Sequence, residues 1–245
     1  MLMQTTCYLS ASPLIVHITT ETAVIAVHNN IVRNVDCTGE VSVLLNLSAA
    51  FDTMDHKILL DILEYRFGIT GLVLKWYQFY FTDRTQTFQV ELDRSIAFII
   101  DWIVPQGSVI GPLKFIAYTE DLPSVIEKHE LDHHLYADDT QIADHLQLTQ
   151  AAAAITNIER CVKSIHVCCT SKRLQLNPTT SKIIWFGSRT SLHRLHGVDL
   201  SLHIGADIIA PLSVIRDLSV FLDSKLSMTS HITKISSVCY YQLSI

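Results

Sequence analysis

Hydrophobic positions recur along this chain with two different periods, and the alternation between them outlines the fold. Residues 19–35, "TTETAVIAVHNNIVRNV", read as a helix. Val24, Ile25, Val27, His28, Ile31 and Val32 make a broad apolar stripe, Thr19 or Thr20 can cap its start, and Glu21 suits the first turn. "CTGE" breaks the chain, and "VSVLLNLS" follows as an aliphatic, β-branched strand. "DHKILLDILEYRFG" predicts a helix closed by Gly68, and "GLVLKWYQFYFTDR" a second helix. "TQTFQVEL" alternates like a strand, with "DRSIAFIIDWIV" returning beside it. "VPQGSVIGPLKFIAYTEDL" is a turn-rich loop feeding a helix that starts near Gly111-Pro112.

"HHLYADDTQIADH" predicts strand, turn and strand. A long helix covers roughly 149–173, followed by short strands in "KIIWFGS", "LSLHIG", "DIIAP" and "LSVFLD". "SMTSHITKISSVCYYQLSI" predicts an amphipathic helix. Helices mixed with hairpin-type strands define an α+β class. No repeat, low-complexity tract or obvious linker interrupts the pattern.

Composition narrows the function. Hydrophobic residues make up 49% of 245, enough for a substantial core. No apolar run reaches the ~18 residues of a membrane span, and the start lacks the basic n-region of a secretory signal. The expectation is an intracellular protein, in cytoplasm or nucleus, without a membrane partner. The six cysteines form no C-x-x-C pair, so a zinc knuckle is unsupported and they read as small buried apolar residues. The net charge of −6 argues against tight nucleic-acid binding by this chain alone.

The chemistry concentrates at Asp138 and Asp139, adjacent acids where two short strands meet. Alternation puts His134, Tyr136 and Asp138 on one face, with Asp139 at the turn. Two carboxylates this close repel at neutral pH, and a divalent cation relieves them. Oxygen ligands favour Mg²⁺ or Mn²⁺, and two such ions can clamp a nucleotidyl transfer. Taken alone, the pair fits a solvated hairpin tip as well as a metal site. The nearby "DHH" is no chelate, because neighbouring strand residues point to opposite faces.

"YADD" between two apolar strands resembles the central motif of reverse transcriptases. "VSVLLNLSAAFDTMDHKILL" resembles the preceding motif of the LINE-type (non-LTR) retrotransposon enzymes, and "VPQGSVIGPLKFIAYTEDL" the next. "LQLNPTTSKIIWFGSR" is similar to the motif after the acids, and "VIRDLSVFLDSKLSMTSHI" to the element beside the primer. Order and spacing fit, and the likeness covers nearly the whole chain.

The resemblance implies a right-hand polymerase palm, a small antiparallel sheet backed by helices, with partial fingers and the thumb largely missing. Segments 1–40 and 57–103 would be mainly fingers, 41–56 and 104–225 mainly palm, and 226–245 the start of a thumb. It implies an RNA-directed DNA polymerase acting on an RNA template, a DNA primer and deoxynucleotides, with two Mg²⁺ or Mn²⁺ ions. Asp138, Asp139 and the Leu47 backbone carbonyl would hold metal. Tyr136 would support the primer end. Phe51 would lie under the incoming sugar, and Gln106 and Gly107 would line the nucleotide and template pocket. The oligomeric state is left open.

This chain departs from that pattern in several places. Asn46 stands where the family carries a metal-bridging aspartate, and a neutral amide is a weaker donor to a hard cation. Asp52 occupies a different position and does not replace it. Thr180, Ser181 and Lys182 stand where a lysine-threonine-glutamate run is expected, Ser219 replaces a tight-turn glycine, and Leu9 falls near an expected basic residue. A catalytically dead remnant acting as a nucleic-acid or protein binding module is the competing expectation. Another Mg²⁺-dependent phosphotransferase would leave "PQGS" and "LNP", in that order, unexplained.

Overall fold

The computed structural model describes residues 7–8, 20–35, 40–48, 53–90, 93–99, 111–137, 139–145, 150–195 and 197–243. The chain opens with β1 (Cys7–Tyr8), α1 (Thr20–Val35) and β2 (Glu40–Ser48), followed by α2 (His56–Tyr65) and α3 (Gly71–Phe81). Four two-residue strands come next: β3 (Thr85–Gln86), β4 (Gln89–Val90), β5 (Asp93–Arg94) and β6 (Phe98–Ile99). Then come α4 (Gly111–Tyr118), α5 (Leu122–Glu127), the hairpin β7 (Asp132–Tyr136) and β8 (Asp139–His145), and α6 (Ala151–Ser171). The remainder is β9 (Gln175–Leu176), β10 (Lys182–Phe186), α7 (Arg189–Arg194), β11 (Leu202–Ile204), β12 (Asp207–Ile209), β13 (Pro211–Leu212), β14 (Val214–Asp217), β15 (Val220–Asp223) and α8 (Thr229–Leu243).

The central sheet runs β1-β7-β8-β2-β10-β13, with β9 paired to the far end of β2. All its pairings are antiparallel except β10 with β13, so the antiparallel expectation holds for all but that one edge. β2 sits in the middle, and both its faces are covered. Val43 and Leu45 join the core beneath α2, α4 and α6, with Leu59, Phe115, Tyr118, Ile158 and Ile165. Leu44 points the other way, toward Val27 and Ile31 of α1 and Ile215 and Leu222 of the β14–β15 hairpin. This two-sided burial explains why the strand is a near-continuous aliphatic run rather than a clean alternation. β10 repeats the arrangement: Ile183 and Trp185 face one core, Ile184 and Phe186 the other.

α2 begins where the Asp55 carboxylate accepts the Lys57 and Ile58 amides at 2.8 and 3.1 Å. It ends before Gly68, whose φ of +66° is the left-handed geometry that lets a helix stop there. A polar knot ties the segments flanking the central sheet. The buried Tyr118 hydroxyl donates to the Lys172 carbonyl at 2.6 Å and accepts the Asp55 amide at 3.2 Å. Arg173 pairs with Asp55 at 2.8 Å, and Lys172 donates to the Tyr118 carbonyl at 2.8 Å and to Asp121 at 2.5 Å. The start of α2, the end of α4 and the turn after α6 are thereby held together.

Several expectations need correction. "TQTFQVEL" is not one strand: β3 pairs with β6 and β4 with β5, and the exposed two-residue pairings give it no apolar face to bury. "DIIAP" divides between β12, which pairs with β11, and β13, which joins the central sheet. "LSVFLD" begins as a strand only at Val220, because Leu218 and Ser219 form the turn from β14. α8 is helical as expected but buries no residue, so its apolar side chains lie exposed. Cys161 and Cys169 are buried as expected, whereas Cys239 is exposed.

Candidate active site

The backbone register assembles the site. β2 and β8 pair so that Asn46 lies opposite Asp139, and β8 and β7 pair so that Asp139 lies opposite Tyr136. Three neighbouring strands therefore bring positions 136, 139 and 46 into one row. The next row holds His134, Gln141, Leu44 and Lys182, again in register. Asp139 is not in the turn, as expected from the sequence, but is the first residue of β8. The turn is made at Ala137, whose φ of +53° reverses the chain early enough for Asp139 to enter the ladder. Asp138, Phe51, Gln106 and Gly107 lie outside the described residues, as does Leu9. Leu47 is described in its backbone, which pairs with Leu176 of β9.

Over these rows lie α1 and the β14–β15 hairpin. They enclose a small cleft lined by Ala23, Val27, His134, Tyr136, Asp139 and Asp217, among others. Its free space of about 20 Å³ has room for one water or a small ion. His134 is anchored from α1 through Asn30 at 3.4 Å. Its neighbour His133 points to the opposite face, is 3% exposed, and has its pKa lowered, chiefly by burial. The alternation across "DHH" is as expected.

Asp217 is the functional candidate that sequence reasoning missed. It ends β14, is 7% exposed and lines the same cleft as Asp139. Burial, and after it the facing Asp139 carboxylate, push its pKa up to about 6, while Lys182 and the Leu218 amide pull the other way. Lys182 reaches this corner from β10, donating to the Arg216 carbonyl at 3.4 Å. The signal in the sequence is faint: Ile215 and Asp217 share the inward face of a four-residue strand, and an acid on an apolar face is out of place unless it has work there.

Among the described residues, no group of three or more His, Cys, Asp or Glu side chains could hold a metal ion. The donors that do converge, Asp139 and Asp217, are hard oxygens suited to Mg²⁺ or Mn²⁺ rather than to zinc. Thr180, at the position where a lysine was expected, is spent on the turn: its amide and hydroxyl both bond to the Asn177 carbonyl.

An antiparallel sheet with a carboxylate hairpin at its centre, helices on one face and a second hairpin on the other is a polymerase palm-like arrangement. Residues 10–196 match the family model described as reverse transcriptase (RNA-dependent DNA polymerase), and the chain belongs to that family. A probable RNA-directed DNA polymerase from transposon BS of Drosophila melanogaster is 26% identical over 208 residues, covering 82% of this chain and 22% of that protein. The RNA-directed DNA polymerase from mobile element jockey of the same organism is 27% identical over 203 residues, covering 80% and 21% respectively. The chain thus spans about a fifth of the length of these curated relatives. The structure of apo telomerase from Candida tropicalis, truncated from its C-terminal domain, superposes with a TM-score of 0.56. That match has 9% identity over 86% of this chain and 39% of the other, a likeness of fold alone. The LINE-type resemblance read from the motifs agrees with relatives drawn from mobile elements.

Proposed function

We propose that this chain is the palm-centred part of a LINE-type retrotransposon reverse transcriptase, built for RNA-directed DNA synthesis and impaired in that reaction by Asn46. The observation that supports the reading is the backbone register that sets Asn46 opposite Asp139; in this account position 46 is where a third carboxylate would complete a two-metal site. In this account 1–40 and 57–103 are mainly fingers, 41–56 and 104–225 mainly palm, and 226–245 the start of a thumb.

Asp138, Asp139 and the Leu47 carbonyl would hold Mg²⁺ or Mn²⁺. When bound, these ions would supply activation of the primer 3′-oxygen and charge stabilisation of the leaving pyrophosphate. Tyr136, in the row beside Asp139, would steady the primer end. Phe51 would underlie the sugar of the incoming deoxynucleotide, and Gln106 and Gly107 would contact nucleotide and template. RNA template and DNA primer are the partners implied. No helix among the described residues is long and apolar enough to cross a membrane, and an intracellular site of action, cytoplasm or nucleus, fits a template of RNA.

A single lost charge at such a centre is costly. Removing one donor that stabilises developing charge lowers rates by ~10²–10³, and a bridging carboxylate should matter at least as much. The test is primer extension on an RNA template with Mn²⁺, using the full chain. The expected result is no detectable extension, and processive synthesis by the unaltered chain would overturn the proposed impairment.

A further inference from the structure

α4 carries a lysine in a place where lysines do not belong. Lys114 is 2% exposed, and its Nζ has no hydrogen-bond partner among the described residues. The ammonium is surrounded by aromatic faces from α3: Tyr80 lies 3.8 Å from Nζ to ring centroid, Phe81 4.6 Å and Tyr77 5.7 Å. The walls are themselves braced. Trp76 stacks on Tyr80 with centroids 5.4 Å apart, and His56 of α2 stacks on Phe81 at 4.3 Å. Arg84 lies 4.5 Å over the Tyr80 ring.

Three influences oppose a charge here. Burial comes first, the Arg84 guanidinium second, and both lower the amine's pKa. The third is position, because Lys114 lies in the first turn of α4, where the helix dipole disfavours cations. Among the described contacts, only the ring faces act in its favour. A cation within about 6 Å of an aromatic centroid is attracted by the ring quadrupole, and the attraction grows when water is excluded.

We propose that Tyr77, Tyr80 and Phe81 form a preorganised cage for an alkylammonium ion, and that Lys114 fills it as an internal ligand pinning α3 to α4. The ligand class follows from the walls, which offer three aromatic rings to the ammonium. The inference rests on the α3–α4 contact alone and stands whether or not the chain polymerises DNA.

The experiment empties the cage and refills it. Lys114→Ala removes the atoms of an n-propylammonium ion. Its thermal unfolding is followed in n-propylammonium chloride, in 1-propanol and in sodium chloride at equal concentrations. The expected result is a saturable rise in Tm of about 2–4 °C with the ammonium, well above either control. The rise should be absent in the wild-type chain and in Lys114→Ala/Tyr80→Leu. Equal rescue by the alcohol, or no rescue, overturns the cage. Should Lys114→Ala fail to fold, the wild-type chain decides by NMR. The Lys114 ε-methylene protons are expected upfield of ordinary lysine, and Tyr80→Leu should shift them back. Unshifted protons contradict the proposal.

Discussion

Asp217 carries its charge at a cost. Its carboxyl titrates near 6 rather than 3.8, because burial strips it of water and Asp139 repels it. Between those two values the folded chain holds a proton that the unfolded chain has released. The stability contributed by this group therefore falls as pH rises from about 4 to about 6, and stays low above that. Asp217→Asn should remove the fall. It should raise stability at pH 7 on the order of 1–3 kcal/mol, seen as a rise of several degrees in Tm that vanishes at pH 4. An unchanged pH profile would mean that Asp217 is hydrated and remote from Asp139. An acid retained at such a cost, beside a second acid, is what a cation-binding cleft would require.

Among elements, the β14–β15 hairpin is the one that works against its own sequence. Asp217 pairs with Val220, so Leu218 and Ser219 alone make the turn, with φ of +42° and +73°. Such two-residue turns favour Asn-Gly or Gly-rich pairs, since side chains strain the left-handed region. Ser219→Gly should stabilise the chain by ~0.5–1 kcal/mol, measured as a higher denaturation midpoint with an unchanged slope. A lower midpoint would indicate that the Ser219 side chain makes a contact worth more than the strain.

The same hairpin marks the limit of what the sequence discloses. Long periodic elements are legible: α1, α2, α3, α6 and α8 fall within a few residues of their expected spans, because an apolar stripe sustained over three or more turns specifies a helix. The short elements α5, α7, β9 and β14 are not, because so few residues cannot display a period and their placement comes from the core they cover. At the site, Asp139 and position 46 are legible as letters. Their opposition across β2 and β8 depends on register, which only the strand partners fix. Asp217 leaves only a faint trace, an acid on an apolar strand face, because its relation to Asp139 joins segments far apart in the chain.

At the scale of the whole molecule, β2 is the spine. Among its described side chains Val43 and Leu45 are buried on one face and Leu44 is partly buried on the other, and the strand pairs with β8, β10 and β9 and delivers position 46 to the centre of the palm-like sheet. Among the described residues two cores pack against its faces, and the Tyr118–Asp55–Arg173 knot secures the segment that follows it. The proposed defect is thus chemical and local, a missing charge in a preserved frame. The net charge of −6 sharpens the point, since in the proposed reaction a metal centre would also have to offset an unfavourable field for nucleic acid.

Titration calorimetry with Mn²⁺ tests this most directly, comparing the wild-type chain with Asn46→Asp and Asp139→Asn. If position 46 and Asp139 share one cation, Asn46→Asp should tighten Mn²⁺ binding roughly tenfold or more, and adding Asp139→Asn to the Asn46→Asp chain should abolish the gain. Affinity unchanged by Asn46→Asp would contradict a shared site and the family-type chemistry proposed for it.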